Sequence, residues 1–454
     1  MKKINNILAI GVAVFLLSSC MTHKEYEQKT EIEGLLYGAG VDTSSSSIAE
    51  TSWQDFFTDP MLKELIETAL TANTDVQSAE IAVKQAELSL RTSKLAFYPS
   101  LYFNPSGTLS SFDNSPVSKA YNLPLQLDWQ IDAFGGMKNR KRNAAAILEQ
   151  TKYQEEAMRA NVISTVAQLY YRLLIYDRQL TILLDTEKLW ASSLDVQKAL
   201  MENGKAYSTA VNQMEASYLN VKTQIVDIRK AIHSSELSLC RILCQEPQHI
   251  KRNVWGQYAI PKRIGTGVPS LLLTYRSDVK VAERAMAAAH YNIMAAKADF
   301  FPSISLGGSI GWTNNAGAIA DPGKLLWNAL ASLTQPIFAR GKLKAAAESA
   351  SLAMDDVRKK YYQTVINAGN EVNEAIADCR AAQEKDELYK RQVAVLKDAF
   401  DGTHELMNNG KANYLEVLTA QEALLQAQLA EAMNLYDGYI SSITLYIALG
   451  GATK

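Results

Sequence analysis

The 454-residue sequence predicts an α+β membrane protein, internally duplicated, in which two pairs of long antiparallel α-helices accompany four transmembrane β-strands. Three observations predict this fold class. Segments of the first half recur in the same order in the second half. Two stretches of 64 and 67 residues lack proline and carry a helical period. Short stretches that alternate apolar and polar residues come before each of them.

The duplication is visible when the chain is compared with itself at an offset of 203 to 206 positions. The matching stretches are 74–89 with 277–292, 95–101 with 298–304, 132–138 with 336–344, and MENGKA at 201–206 with MNNGKA at 407–412. Because the four matches keep their order and nearly the same offset, they indicate two repeats, at 59–246 and 270–450. Each repeat runs helix, strand pair, long helix, tight turn, helix.

The strands are predicted from a period of two. In 122–132 every odd position is apolar and every even position is not. The stretch 303–312 alternates in the same way, and 100–111 and 326–338 are its weaker counterparts. The loops between them carry Asn, Asp, Pro and Gly, which are typical of hairpin ends. Each repeat therefore holds one hairpin, at about 100–133 and 303–338, which gives four strands.

The long helices show a different period. Apolar positions from Val162 to Leu194, and from Tyr361 to Met407, step alternately by four and three, the spacing of coiled-coil packing. As helices, 138–201 and 341–407 would span about 96 and 100 Å, which predicts an elongated molecule. Asn203-Gly204 and Asn409-Gly410 are expected to end them, because both residue types accept the left-handed conformation that stops a helix. The chain then returns as helices at 207–246 and 413–449.

The N-terminus predicts a secreted lipoprotein. Lys2 and Lys3 precede an apolar run at 7–17, which is shorter than the roughly 20 residues of a membrane-spanning helix, so 1–19 is predicted to be a signal peptide. Leu17-Ser18-Ser19-Cys20 follows and resembles the lipobox of bacterial lipoproteins, which are cut before the cysteine and acylated on its thiol. The alternative is an ordinary signal peptide followed by an unrelated cysteine.

Charge and cysteine content narrow the function classes. The chain has 46 Lys and Arg against 48 Asp and Glu, and removal of 1–19 takes two lysines, leaving a net charge of −4. The absence of a basic excess argues against nucleic acid as a partner. Cys240, Cys244 and Cys379 remain, and an odd number cannot pair completely within one chain. We interpret all three as small core residues within helices, and a redox role stays open.

The strands predict a multimer. About ten residues of tilted strand cross a bilayer, and alternation of apolar and polar residues suits a sheet between lipid and water. Four strands cannot close a barrel, and an open edge in lipid leaves backbone groups unpaired. Two copies would give eight strands filled by side chains, whereas three give twelve and could enclose a water-filled lumen. The long helices would continue as an α-helical barrel in the periplasm.

These features together resemble a known family. The lipobox, the twofold repeat, the Pro-Ser strand starts at Pro99 and Pro302 and the Asn-Gly helix ends are similar to those of the TolC-like outer-membrane efflux factors. The resemblance covers nearly all of 50–450 and is strongest to the lipoprotein branch that works with resistance-nodulation-division pumps. It implies a homotrimer in the outer membrane, with a mixed belt around the helices for which 20–58 and 247–269 are the candidates.

The resemblance also implies a mechanism and its residues. Such a channel does no chemistry and opens at its periplasmic tip when a periplasmic adaptor and an inner-membrane efflux transporter dock. Glu416 matches the position of an acidic constriction residue in the gate. Thr419 stands where relatives often carry a second Asp, and Glu422 follows; a solvated helix face is the alternative for these positions. The residues expected to dock the adaptor at the two tips are Asn203, Gly204, Lys205, Ala206, Asn409, Gly410, Lys411 and Ala412.

Two other classes of protein are alternatives to this channel. The five histidines have no ligand spacing, and no phosphate loop, nucleophile elbow or CxxC motif is present, so the sequence predicts no enzyme, no metal site and no cofactor other than the lipid on Cys20. A periplasmic adaptor or scaffold lipoprotein without a pore is a closer alternative, as is the channel of a polypeptide secretion system. Two helical hairpins, each preceded by a transmembrane-type β-hairpin, favour the efflux channel. The substrate is not specified by the sequence.

Overall fold

The computed structural model describes residues 25–27, 51–113, 115–257, 275–314 and 324–452. The predicted signal peptide, Cys20, and the greater part of the two belt candidates (all but 25–27 and 51–58 of the first and 247–257 of the second) lie outside these residues. The elements in chain order are α1 (Trp53–Phe56), α2 (Pro60–Ala72), α3 (Thr74–Leu95), β1 (Ser100–Phe103), β2 (Ser106–Ser110), β3 (Ser118–Ile131), α4 (Gly136–Glu202), α5 (Ser208–Ile242), α6 (Ser277–Ala298), β4 (Ser303–Thr313), β5 (Lys324–Thr334), α7 (Lys342–Asn408) and α8 (Tyr414–Ala448).

The helix lengths confirm the duplication. Both α3 and α6 have 22 residues, both α4 and α7 have 67, and both α5 and α8 have 35. Residues in the two repeats can therefore be paired as twins, at an offset of 203 for α3 with α6 and 206 for the later helices. Among the described helices, none is both long and apolar enough to cross a membrane.

The chain forms two compact units. The sheet unit contains the described residues of 1–30, 81–153 and 280–364, and the helical unit contains those of 31–80, 154–279 and 365–454. The sheet unit holds all five strands together with the adjoining parts of α3, α4, α6 and α7.

One antiparallel sheet joins the strands of both repeats. Its order is β1-β3-β4-β5, and β2 also pairs with β3. The repeats meet where β3 pairs with β4 over ten residues, from Asn122 opposite Thr313 to Ile131 opposite Ile304. The prediction of four strands is wrong in one respect, because Asn104-Pro105 divides the first strand into β1 and β2. Proline has no N–H to donate to the sheet, so the strand is interrupted there.

The sheet has one apolar and one largely polar face, and the apolar one is uncovered. Leu125 lies opposite Ile310, and Ile310 lies opposite Trp327. Leu125 is 39% exposed and Trp327 is 71% exposed. Residues of the other face include Gln126, Asp128, Ser305, Ser309 and Asn328, as the register places them. A continuous apolar face that is left exposed normally marks contact with a membrane or with another protein.

The helical unit has a core built from both repeats and from the segment before the first. The Phe56 ring stacks on Tyr446 with centroids 4.1 Å apart. The predicted stripe on α4 is buried or half-buried throughout. On α7 the stripe is buried from Tyr361 to Ala382, apart from the half-buried Cys379, and only half-buried from Asp386 to Met407. The 3.5-residue spacing therefore marks the packing face of both long helices.

One of the three cysteines is neither buried nor in a helix. Cys240 is buried and Cys379 is half-buried, but Cys244 is exposed. The prediction of a core cysteine in a helix is wrong for Cys244, because α5 already ends at Ile242. Cys244 instead forms the turn that closes this helix, with a φ of 52°.

Candidate functional site

The two turns that end the long helices have the same backbone structure. Gly204 and Gly410 adopt the left-handed conformation, with φ of 71° and 70°. The Gly204 N–H donates to Met201 O at 2.9 Å, and the Lys205 N–H donates to Leu200 O at 2.8 Å. The second tip repeats both bonds, from Gly410 to Met407 O and from Lys411 to Leu406 O, each at 2.9 Å. This pair of bonds satisfies the last carbonyl groups of a helix.

The candidate docking residues lie together at these tips. Asn203, Gly204, Lys205, Asn409, Gly410 and Lys411 are exposed, and Ala206 and Ala412 are half-buried. Each asparagine side chain donates to its own helix, Asn203 to Ala199 O at 2.7 Å and Asn409 to Glu405 O at 3.0 Å. The lysines are accessible to a partner, and their docking role stays a prediction.

The helices that return from the tips begin differently. Asn413 caps α8, because its Oδ1 accepts a hydrogen bond from the Glu416 N–H at 3.0 Å. Its twin Tyr207 makes no side-chain cap for α5 and is 84% exposed. The first tip therefore presents an aromatic ring where the second presents a capping amide.

The three candidate gate residues are exposed on α8, but they do not form one narrow stripe. Six residues of helix place Glu416 and Glu422 about 120° apart around the axis, with Thr419 between them. The Thr419 hydroxyl donates to Leu415 O at 2.8 Å. The Glu422 carboxylate accepts a hydrogen bond from Ser217 of α5 at 2.8 Å. Glu422 is thus turned toward the neighbouring helix, and a shared gate with Glu416 stays a prediction.

A cleft of about 730 Å³ opens beside these residues within the helical unit. Its walls include Leu189, Leu200, Met214, Met407 and Leu418. Tyr414 also lines it, and burial raises the pKa of Tyr414 to about 12, with the nearby Glu422 charge adding to the rise.

In the part of the chain that the structure describes, no three or more His, Cys, Asp or Glu side chains come together as they would around a metal ion. His249 is placed 2.8 Å from Glu236, in an ion pair if the imidazole is protonated.

Two buried arginines were missed by the sequence analysis. Arg252 donates to Asp177 of α4 at 2.9 Å and to Glu236 of α5 at 2.6 Å. Arg276 donates to Asp278 at 2.7 Å and to Glu371 of α7 at 2.6 Å. Each binds elements distant in sequence, and no local pattern distinguishes these arginines from surface ones. They tie the segments beside 258–274 to the long helices.

Comparison with known proteins identifies this architecture. The outer membrane efflux protein family matches residues 65–245 and 268–451. The chain belongs to that family. Its two matched ranges fall on the repeats predicted at 59–246 and 270–450.

Several members of the family are similar over nearly their whole length. The cation efflux system protein CusC of Escherichia coli K12 is 26% identical over 420 residues, covering 91% of this chain and 91% of CusC. The probable outer membrane lipoprotein SilC of Salmonella typhimurium is 24% identical over 449 residues, covering 96% and 97%. The toluene efflux pump outer membrane protein TtgC of Pseudomonas putida is 24% identical over 467 aligned positions, covering 98% and 95%.

Solved structures agree with the fold. A crystal structure of CusC superimposes with a TM-score of 0.83 at 25% identity, covering 91% of this chain and 98% of that one. The open state of the Neisseria gonorrhoeae MtrE outer membrane channel gives 0.86 at 24% identity, covering 95% and 98%. The predicted resemblance is therefore confirmed, and the protein is an outer-membrane channel of an efflux system.

Proposed function

We propose that three copies of this chain form the exit duct of a tripartite efflux system. A periplasmic adaptor and an inner-membrane transporter would deliver substrate to it, and it would conduct that substrate passively to the exterior. One observation carries the proposal: the sheet is open, with β1 and β2 at one edge and β5 at the other, and its apolar face is exposed. In lipid such edges must be paired. Pairing β5 of one copy with the first strands of the next gives a closed barrel.

The gate is proposed at the second tip, at Glu416, Thr419 and Glu422. Three copies would bring three sets of these residues around one axis. Repulsion between the glutamates, and the cations bound to them, would then decide the width of the pore. The Ser217–Glu422 hydrogen bond links α5 to α8 at this level. An adaptor that binds the tips at Lys205 and Lys411 would be well placed to separate the two helices.

We assign no chemical step of transport to this chain. No catalytic role is proposed for the chain, because its relatives are efflux channels. The names of two of those relatives, CusC and TtgC, mention cations and toluene. Small molecules or cations are the substrate class we propose, with selectivity set by the inner-membrane transporter.

Acylation of Cys20 is proposed as the membrane anchor, a role consistent with the name of SilC as a probable lipoprotein.

Conductance across a planar lipid bilayer tests the proposal. The purified wild type is compared with the double variant Glu416→Ala, Glu422→Ala, and with Glu215→Ala as the control. Glu215 is an exposed acid on α5, eleven residues after Gly204, as Glu422 is twelve residues after Gly410. We expect a small conductance in the wild type and the control, and a several-fold larger one in the double variant. Equal conductance in all three would remove the gate assignment, and a folded trimer that conducts in none of the three would overturn the proposed passive duct.

A further inference from the structure

The strand ends that join the long helices lie side by side along one rim of the sheet. Ile131, which ends β3, lies opposite Ile304, and Ser303, which begins β4, lies opposite Thr334, which ends β5. β1 begins near the same end of β3. The segments that enter the sheet from α3 and α6, and those that leave it for α4 and α7, therefore meet at this rim. They are the twin ranges 91–99 and 294–302, and 132–141 and 338–347.

These four segments are strongly basic in a chain that is nearly neutral. They contain nine lysines and arginines against two aspartates, whereas the whole chain has 46 Lys and Arg against 48 Asp and Glu. Asp299 pairs with Arg140 at 2.8 Å. The Asp132 carboxylate accepts hydrogen bonds from the Met137 and Lys138 N–H groups at the start of α4. Apart from Arg140, no basic residue of the four segments forms an ion pair within the described part of the chain.

The basic residues at the beginning of α4 and α7 lie where a helix disfavours positive charge. The N-terminus of a helix carries a partial positive charge, so acidic side chains stabilise the first turn and basic ones destabilise it. Neither helix has an acid in its first turn or a basic residue in its last turn. The residues found at the two beginnings are Lys138, Arg140, Lys141, Arg340, Lys342 and Lys344. Because both repeats have this unfavourable arrangement, it indicates a negative partner outside the chain.

The same segments expose aromatic side chains. Tyr98 is 70% exposed and Phe338 is 84% exposed. The Trp129 indole N–H donates to Phe97 O at 2.9 Å, and the Lys141 ammonium lies 5.9 Å from the centre of the Phe97 ring. Aromatic rings beside long basic side chains are typical of the boundary between the hydrocarbon of a membrane and its headgroups. This rim is continuous with the exposed apolar face of the sheet, so its partner has both hydrocarbon and negative charge.

We propose that the basic residues of these four segments form a collar that binds the headgroups of anionic phospholipids, in the leaflet on the helix side of the sheet. The inference rests on the proposed barrel, because that barrel places the apolar face of the sheet in lipid. Lysines and arginines near an anionic membrane surface each add to the attraction. Three copies would close the collar around the barrel. The bound headgroups would fix the depth of the strands in the membrane and offset the positive charge at the beginning of α4 and α7.

Thermal unfolding of the full-length protein in detergent, with defined lipids added, tests the collar. Phosphatidylglycerol is the anionic lipid, phosphatidylcholine is the neutral comparison, and glycerol phosphate is the soluble headgroup. The collar variant combines three substitutions of exposed residues, Arg340→Gln, Lys342→Gln and Lys344→Gln. The control variant combines substitutions of exposed residues of the same types in the helical unit, Arg229→Gln, Lys230→Gln and Lys397→Gln.

We expect phosphatidylglycerol to raise the unfolding midpoint of the wild type and the control by several degrees more than phosphatidylcholine does. The collar variant should require an about tenfold higher mole fraction of phosphatidylglycerol for half of this rise, because three cations are lost. Without added lipid it should unfold at the wild-type temperature or slightly above, since cations at a helix N-terminus are unfavourable. That measurement also shows whether the variant is folded. If it is not, the wild type in about 0.5 M NaCl provides the test, because salt should weaken its preference at least threefold.

Three results would overturn the collar. They are equal responses of the wild type to the two lipids, a folded collar variant that responds as the wild type does, and a rise of the same size with glycerol phosphate, which would indicate a site for soluble anions. Conductance in bilayers of phosphatidylcholine alone separates the collar from the duct. A wild type that conducts there but shows no preference for phosphatidylglycerol in detergent retains the duct and loses the collar. A protein that prefers phosphatidylglycerol but conducts in neither lipid retains the collar and loses the duct.

Discussion

Asn73 and Arg276 are twins in the two repeats, and each caps the C-terminal end of an equivalent helix. Asn73 Nδ2 donates to Ile242 O at 3.0 Å, and Arg276 Nη1 donates to Ala448 O at 2.9 Å. Ile242 and Ala448 are the last residues of α5 and α8. The last carbonyl groups of a helix lack partners within it. The duplication has therefore kept the hydrogen bond while exchanging an amide for a guanidinium.

Removal of the arginine should be the more damaging change. Arg276→Ala leaves Asp278 and Glu371 without their cation, and we expect it to lower the free energy of unfolding by about 3 kcal/mol. Asn73→Ala loses the bond to Ile242 and the cap on the Val76 N–H, which should lower it by about 1 to 2 kcal/mol. Urea unfolding followed by circular dichroism measures both. An Arg276→Ala loss no larger than that of Asn73→Ala would contradict the importance of its ion pairs.

A second pair of twins predicts that glycine is favoured at both equivalent helix ends. Cys244 and Gly450 both have positive φ, at 52° and 91°. A left-handed non-glycine residue costs about 1 kcal/mol, partly offset by the greater entropy of an unfolded glycine, so Cys244→Gly should stabilise the protein by about 0.5 kcal/mol. A Cβ on Gly450 would come within 2.6 Å of the Tyr275 carbonyl carbon. Gly450→Ala should destabilise it by about 2 kcal/mol. Urea unfolding followed by circular dichroism measures both changes in the free energy of unfolding. An increase for both substitutions would contradict the prediction.

Cys379 should react slowly with alkylating reagents at neutral pH. Burial raises the pKa of its thiol to about 11, and only the thiolate is nucleophilic. Between pH 8 and 10 its alkylation rate should therefore rise about tenfold per pH unit and level off near pH 11. Iodoacetamide labelling with peptide mass spectrometry measures the rate at each cysteine. A plateau reached by pH 9 would show that the thiol is not buried in solution.

If the proposed gate is correct, the Ser217–Glu422 hydrogen bond opposes its opening. Ser217→Ala removes a bond to a charged group on an exposed surface, worth about 0.5 to 1 kcal/mol, so the open probability should rise two- to fivefold. Thr223→Ala is the matched control, since the Thr223 hydroxyl donates within α5 to Leu219 O at 3.0 Å. Single-channel recording measures the open probability of both variants. An effect of equal size in the control would assign the change to α5 rather than to the link.

The two faces of the sheet should respond differently to charge. Leu125 and Gln126 are neighbours on β3 and point to opposite faces. An arginine on a lipid-facing position of a strand costs about 2 to 4 kcal/mol near the bilayer centre. Leu125→Arg should therefore reduce the amount of assembled protein in outer-membrane fractions severalfold, and Gln126→Arg should not. The reverse order would mean that the apolar face does not meet lipid.

Local patterns in the sequence predicted the local structure well. The alternation at 122–132, the glycines at 204 and 410 and the 3.5-residue stripes each depend on neighbouring residues, and the structure has each of them. Pro105 was present in the predicted first strand, and its missing N–H explains the break that was overlooked. Cys244 was misplaced because a helix end set by a left-handed cysteine lacks the usual glycine signal.

Contacts between distant residues could not be predicted in this way. Asn73 meets Ile242 at a separation of 169 residues, and Ser217 meets Glu422 at a separation of 205. The sequence around each residue does not predict its distant partner. The family resemblance supplied the gate and docking positions, but it did not indicate that Glu422 is turned toward α5.

The equal length of α4 and α7 restricts how this protein can change over time. Deletion of one residue from a helix shifts everything beyond it by about 1.5 Å along the axis and about 100° around it. A deletion in α4 alone would move its tip out of step with that of α7 and turn its packing stripe away. Substitutions can accumulate independently in the two halves, as the different residues at the equivalent positions Asn73 and Arg276, and Cys244 and Gly450, show. Gains and losses of residues in the long helices must instead occur in matched pairs, so helix length should vary together in both halves among related proteins.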